Sequence, residues 1–186
     1  MLRRFALLLL LAMTTVPSPA HAFFHFIQVV EIFGGGGAAG GAQYVEIQAY
    51  SGSQNAVSGH SVIFYNAAGG EVGRVTFSLG VSNGADQMSI LVATSAAATL
   101  FGITPDRVIP SALIDRTGGK VCWDALDCFA WGAYTGPAGV GGSAVGTPFS
   151  ALEPGVAAHR RLDVAGSPTL LDAQDDTNSS ISNFVS

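Results

Sequence analysis

Residues 43–50, QYVEIQAY, alternate between side chains of two kinds. Val45, Ile47 and Ala49 fall on one face of an extended chain, and the intervening residues fall on the other. A period of two residues is typical of a β-strand with one buried face. The stretch therefore predicts a half-buried strand, and segments on either side of it also predict strands.

Two further segments predict a hairpin. Residues 60–66 (HSVIFYN) and residues 71–79 (EVGRVTFSL) flank the short connection Ala67-Ala68-Gly69-Gly70. In the second segment Val75 and Phe77 share one face, and polar residues occupy the other. Small residues and glycines permit a tight turn, so the two segments are expected to pair as antiparallel strands.

The rest of the chain predicts more short strands and one short helix. The helix is expected over residues 95–101 (SAAATLF), with Ser95 as its N-cap and Gly102 just past its end. Residues 172–182 are polar and acidic and are expected to be coil. The other predicted strands are residues 26–33, 88–94, 108–114 (an edge or irregular strand interrupted by Pro110), 120–123 and 128–131 (a hairpin), and 156–164. This series predicts an all-β sandwich in a single domain.

The first 22 residues, MLRRFALLLLLAMTTVPSPAHA, have the layout of a secretory signal peptide. A basic start precedes an unbroken apolar run at residues 5–13, and Ala20-His21-Ala22 offers a cleavage site. The apolar run is shorter than the roughly 20 residues that span a bilayer, which disfavours the alternative of an uncleaved anchor. Residues 1–22 are therefore predicted to be removed, leaving residues 23–186 as one exported domain, periplasmic or extracellular.

The predicted mature chain is acidic. Between Phe23 and Ser186 there are six Lys and Arg against thirteen Asp and Glu, a formal net charge of −7. Nucleic acids and anionic lipids are recognised by basic surfaces, so neither is an expected partner. No second long apolar run follows the signal, so no membrane span is predicted after its removal.

A glycine-rich run, residues 34–41 (GGGGAAGG), follows the first predicted strand. Phosphate-binding loops occupy such positions, but this spacing matches no dinucleotide fingerprint and no Lys-Ser/Thr pair follows. The run is interpreted as a flexible loop, and no cofactor is predicted.

Cys122 and Cys128 are the only cysteines of the chain. Two cysteines in an exported protein favour a disulfide. The alternatives are a redox pair or metal ligands, but the spacing is not Cys-x-x-Cys and no second pair exists to complete a zinc site. If residues 120–131 form a hairpin, the two cysteines face each other with Cα atoms about 5.5 Å apart.

The histidines of the mature chain, His25, His60 and His159, form no close pair and no metal-ligand motif. A Ser-His-Asp site can be assembled from distant residues, but no nucleophile-elbow pattern indicates one here. No catalytic residue is assigned, and structural or surface roles are preferred for the three histidines.

Asp172, Asp175 and Asp176 offer oxygen ligands of the kind that Ca²⁺ accepts. The stretch lacks the EF-hand spacing and its closing Glu, so a solvated acidic tail is the preferred interpretation. A calcium site stays open as the alternative, and no metal ligand is assigned.

Four aromatic residues, Trp123, Phe129, Trp131 and Tyr134, cluster around the cysteines. If these side chains were exposed, the cluster could bind a sugar or a protein. Buried, it would form the part of a sandwich core that lies beside a disulfide. The core is preferred, although alternation alone cannot decide which face each ring takes.

Several short motifs, taken in order, resemble the lamin tail domain family. Tyr44-Val45-Glu46-Ile47 resembles its second strand. The segment at residues 57–62 (VSGHSV) resembles the turn into its third strand, with His60 where the family usually has Trp. Further matching segments are Val30-Glu31-Ile32, Asn83-Gly84, Ile90-Leu91-Val92, residues 118–122, Asp127-Cys128, Ala130-Trp131-Gly132, residues 160–163 and, as in a bacterial branch, residues 175–184.

This resemblance implies an immunoglobulin-like β-sandwich, in a family that bacteria place in exported proteins. It brings no catalytic residues and implies binding, adhesion or scaffolding. We therefore expect a non-enzymatic binding or structural module whose partner is an unknown protein or glycan of the envelope. The alternative is a small secreted hydrolase with a site assembled from His60 or His159 and distant Ser and Asp residues.

Overall fold

A computed structural model of the chain describes residues 25–37, 40–137 and 144–186. The predicted signal peptide lies outside the described residues. Among the residues that are described, no helix is both long enough and apolar enough to cross a membrane.

Two β-sheets make up most of the described structure, and the prediction of an all-β sandwich is confirmed. The strands are β1 (Ile27–Phe33), β2 (Tyr44–Ala49), β3 (Ser61–Asn66), β4 (Glu71–Thr76), β5 (Ser89–Thr94), β6 (Arg107–Ile109), β7 (Gly118–Trp123), β8 (Asp127–Gly132), β9 (Ala157–Arg160) and β10 (Phe184–Val185). Their order is β10-β9-β1-β2-β5-β6 in one sheet and β4-β3-β7-β8 in the other. Neighbouring strands are antiparallel except β5 and β6, which are parallel. The separation of β1, β2 and β5 from β3, β7 and β8 is the arrangement of an immunoglobulin-like sandwich.

The inner faces of the two sheets supply the main core. Val45, Ile47 and Ala49 of β2 are fully buried, as their alternation predicts. From the other sheet, β7 and β8 contribute Trp123, Phe129 and Trp131, which are also buried. Three of the four predicted aromatic residues therefore belong to the main core. The fourth, Tyr134, is buried in the smaller cluster around the disulfide, so burial rules out an exposed binding role for the cluster.

The predicted helix is present as α1 (Ser95–Phe101), but its N-cap is Thr94 and not Ser95. Thr94 ends β5 with extended backbone angles, and its side chain accepts a hydrogen bond from the Ala97 N–H. An N-cap must be non-helical, and Ser95 already lies inside the helix. Gly102 ends α1 in the left-handed conformation, as predicted.

The C-terminal segment differs from the predicted coil. It contains a 3₁₀ turn (Ala173–Asp175), the short helix α2 (Ser180–Asn183) and the edge strand β10. Consequently β9 is not the last strand. The Phe184 ring lies 3.9 Å from the ring of Phe129, so this polar segment is held to the core by one aromatic anchor.

Cys122 and Cys128 are directly opposite each other in the β7–β8 pair and are joined by a disulfide. They lie on the outer face of the four-stranded sheet, in a small cluster with Ile63, Tyr65 and other buried residues. Their Cα atoms are 4.1 Å apart, closer than the expected separation.

Replacing both cysteines with Ser should lower the free energy of unfolding by about 2 to 3 kcal/mol without abolishing the fold. The cross-link restricts the unfolded chain, whereas the sandwich core remains intact without it. Chemical denaturation of the two proteins measures the difference. Thiol labelling of the denatured, unreduced wild type checks the bond, and two reactive thiols would contradict it.

Candidate functional site

A buried ion pair crosses the interior of the sandwich. Arg160 of β9 and Asp127 of β8 face inward, and their side chains are 1% and 2% exposed. The Arg160 guanidinium donates to Asp127 Oδ2 at 2.6 Å and to the Val29 carbonyl at 2.7 Å. Asp127 Oδ2 also accepts from the Val29 N–H at 2.6 Å. Both charged groups are thus fixed by short hydrogen bonds, which favours a structural role.

The same arginine holds the C-terminal segment. Arg160 donates to the Asp175 carbonyl at 3.1 Å, and its guanidinium lies 5.0 Å from the centre of the Phe184 ring. Sequence reasoning missed this pair. Only the positions of the two residues along their strands indicated it. Arg160 lies on the same face of β9 as the buried Ala158, and Asp127 lies on the same face of β8 as the buried Phe129.

His60 is paired with the turn between β7 and β8. Its Nδ1 hydrogen-bonds to Asp124 Oδ2, and Asp124 Oδ1 accepts from the Ser61 N–H at 2.8 Å. Asp124 lies in the turn between β7 and β8, where its φ is +45°. The Ser61 hydroxyl is directed to Thr76 Oγ1, at 2.8 Å. The pair therefore ties the start of β3 to this turn.

His159 belongs to a second carboxylate cluster, on the outer face of the six-stranded sheet. Its Nδ1 lies 3.2 Å from Glu31 Oε2, and the other oxygen of Glu31 accepts a hydrogen bond from the Tyr44 hydroxyl. Burial, and then the bond to Glu31, raise the pKa of Tyr44, so this hydroxyl stays protonated and donating. The side chain of His159 is 52% exposed. The structure gives it no serine partner among the described residues.

Two further residues extend this cluster. Glu46 lies directly opposite Glu31 across the β1–β2 pair, and its carboxylate has no hydrogen bond or salt bridge among the described residues. The Phe101 ring, 46% exposed on α1, packs edge-on against Tyr44 at 5.8 Å. We call Glu31, Tyr44, Glu46, Phe101 and His159 the acidic–aromatic face. Like charges directly opposite each other in neighbouring strands are unfavourable, so the carboxylates of Glu31 and Glu46 repel each other. A partner group that reduces this repulsion would therefore be favoured at this face.

The C-terminal carboxylates are structural. Asp172 accepts from the N–H groups of Gln174 and Ser167, at 2.8 and 3.0 Å, and Asp175 accepts from the Asp172 N–H at 3.0 Å. Asp175 is fully buried, so the interpretation of this stretch as a solvated tail is wrong for that residue. No group of three or more His, Cys, Asp or Glu side chains in the described part of the chain is placed to hold a metal ion.

Lys120, the only lysine of the chain, is fully buried on the outer side of β7. Its ammonium lies 4.8 Å from the ring centre of Tyr65 and 5.4 Å from that of Tyr134. These distances are within cation–π range. Desolvation lowers the pKa of Lys120 from its usual 10.5.

The pKa of Lys120 predicts a pH dependence of stability. Between the folded-state pKa and 10.5 the unfolded chain holds a proton that the folded chain has released, so stability rises with pH through this window. Relative to Lys120→Met, the wild type should therefore gain stability as the pH is raised from neutral towards 10. Urea unfolding of both proteins at several pH values tests this, and a constant difference would contradict it.

Comparison with known proteins gives no match that indicates a function. No protein-family model matches the chain, and no curated protein or solved structure is significantly similar to it.

Proposed function

We propose that the protein is an exported, non-catalytic binding or structural module of the cell envelope or medium, a bacterial relative of the lamin tail domain. The acidic–aromatic face carries this proposal. It presents a half-exposed phenylalanine, a tyrosine and two opposed carboxylates on the outer face of the six-stranded sheet. Aromatic rings beside polar groups are enriched where proteins meet partners.

Export is supported by two features. The first 22 residues have the layout of a signal peptide, and Cys122 and Cys128 form a disulfide of the kind that persists outside the cytoplasm. Mass spectrometry of the exported protein should find Phe23 as its first residue. Recovery of the exported protein with residues 1–22 still attached would contradict the cleavage.

The experiment for binding uses the mature protein, residues 23–186, as bait for envelope fractions and on a glycan array. Glu46→Lys should weaken capture of the partner about tenfold or more, because it reverses one of the two opposed charges of the face. Glu153→Lys makes the same change at an exposed glutamate whose carboxylate has no hydrogen bond or salt bridge in the described structure, and it should have little effect. Equal capture by both variants would contradict the proposal.

The hydrolase remains the alternative because two histidines do meet carboxylates, His60 with Asp124 and His159 with Glu31. Each pair joins the two kinds of group that act as base and orienting acid in a triad. Turnover of ester or glycan substrates that is lost in His60→Ala or His159→Ala would support this alternative and overturn a non-catalytic role.

A further inference from the structure

A cleft of about 360 Å³ opens at the end of the β3–β4 hairpin and shares no lining residue with the acidic–aromatic face. Tyr65, Asn66 and Val72 line one side, and residues 112–115 line the other. Its volume falls within the roughly 300 to 1,000 Å³ typical of small-molecule sites. Its walls are mixed, with apolar Val72 and Leu113 beside three polar side chains.

One wall of the cleft is held rigidly from behind. Gln43, buried and on the approach to β2, accepts from the Leu113 and Ile114 N–H groups at 2.8 and 2.9 Å and donates to the Ile114 carbonyl at 2.7 Å. Leu113 packs over Gly73 of β4, where an added Cβ would lie 2.8 Å from its side chain. The Trp131 indole N–H donates to the Asp115 carbonyl at 2.8 Å. Contacts with buried residues therefore fix the shape of this wall of the cleft.

In the described structure, the side-chain amide of Asn66 is hydrogen-bonded through its oxygen but not through its nitrogen. Its Oδ1 accepts from the N–H groups of Ala68 and Gly70, at 3.0 and 2.9 Å. Its Nδ2 has no hydrogen-bond partner among the described residues. The turn thus holds in place the side-chain amide of Asn66, a residue that lines the cleft.

Asp115 has the complementary arrangement on the opposite wall. Its Oδ1 accepts from the N–H and the hydroxyl of Thr117, at 2.9 and 2.8 Å, whereas Oδ2 has no partner within the described structure. The hydrogen bonds from Thr117 lower the pKa of Asp115, so it is an ionised acceptor at neutral pH. The Tyr65 hydroxyl likewise lacks a hydrogen-bond partner in the described part of the chain.

An oriented amide donor, an oriented carboxylate acceptor and a hydroxyl, with apolar side chains between them, match a ligand that both donates and accepts and also has apolar C–H surface. A sugar residue has these properties. A phosphate would be repelled by Asp115, and a metal ion would leave the donor of Asn66 unused. We propose that this cleft binds one neutral sugar residue, either of a free saccharide or within an envelope glycan. The cleft shares no residue with the acidic–aromatic face, so this inference adds a second binding site to the proposed binding function.

The test is NMR titration of the mature protein, residues 23–186, with glucose, galactose and N-acetylglucosamine, and in a second arm with soluble peptidoglycan fragments. At least one probe should shift the backbone amides of residues 65–72 and 112–117. Binding of a monosaccharide indicates recognition of a single sugar, and binding of the fragments alone indicates recognition within a glycan; either supports the proposal. Absence of shifts at these amides in both arms would overturn it.

Isosteric variants identify the groups that bind. Asp115→Asn and Asn66→Asp keep the Oδ1 acceptors that fix the loops but change the free atoms, and each should weaken binding about tenfold. Tyr65→Phe removes only a hydroxyl and should give a smaller loss, whereas Glu153→Gln is the matched control and should bind like the wild type. Wild-type affinity in both Asp115→Asn and Asn66→Asp would overturn the assignment.

The outcomes also separate this inference from the proposed function. Capture of a partner through the acidic–aromatic face without sugar binding would overturn the cleft alone. Release of reducing sugar from the fragments, with binding dependent on Asp115, would support the cleft and overturn the non-catalytic role.

Discussion

Replacing Arg160 with Met should lower the free energy of unfolding by about 3 to 5 kcal/mol, because it leaves the carboxylate of Asp127 buried without its counter-charge. The side chain of Asp127 is 2% exposed, so water cannot take the place of the guanidinium. The substitution also removes the hydrogen bonds to the carbonyls of Val29 and Asp175 and so loosens the C-terminal segment. Denaturation in urea, with linear extrapolation, measures the loss.

Two companion variants distinguish the buried charge from a general effect of losing an arginine. Arg161→Met removes the neighbouring arginine, whose ion pair with Asp163 is exposed, and should leave the denaturation midpoint almost unchanged. The double variant Asp127→Leu/Arg160→Met removes both charges and should recover much of the lost stability. If Arg160→Met were as stable as the wild type, the pair would not have the structural role assigned to it.

Replacing Phe129 with Ala should cost a similar amount, about 3 to 5 kcal/mol, because it opens a cavity where the two sheets and the C-terminal segment meet. Phe129 is fully buried, and its ring centre lies 5.6 Å from that of Trp131 and 3.9 Å from that of Phe184. The same denaturation experiment measures the effect.

Phe129→Leu should lose less than Phe129→Ala, since it removes less volume. Phe101→Ala, at a half-exposed ring outside the main core, should lose less than either. A loss as large in Phe101→Ala as in Phe129→Ala would show that the core is not organised around Phe129.

The strands were predictable because their signal is local. The alternation in β2 and the paired runs of β3 and β4 reflect burial of one face, and a period of two records that burial directly. The β7–β8 hairpin was equally predictable, because it joins residues that are close in sequence. Its register places Cys122 directly opposite Cys128.

The C-terminal segment could not be predicted in this way. Asp172, Asp175 and Asp176 have the composition of a solvated tail, but they form hydrogen bonds to nearby backbone and to Asn183 within a folded segment. Its anchor, Phe184, is held by Phe129 and Arg160, which precede it by 55 and 24 residues. No local pattern reports such contacts.

The sequence alone therefore determined the all-β class, most strand positions and the cysteine pair, because each follows from residues near one another in the chain. Tertiary structure alone decided that Asp127 meets Arg160 inside the sandwich, that Glu31 gathers Tyr44 and His159 on one face, and that Asn66 and Asp115 flank one cleft. The physical reason is that these groups meet through the packing and register of strands far apart in sequence. A charged or polar residue in a single strand carries no record of the partner that the fold will bring to it.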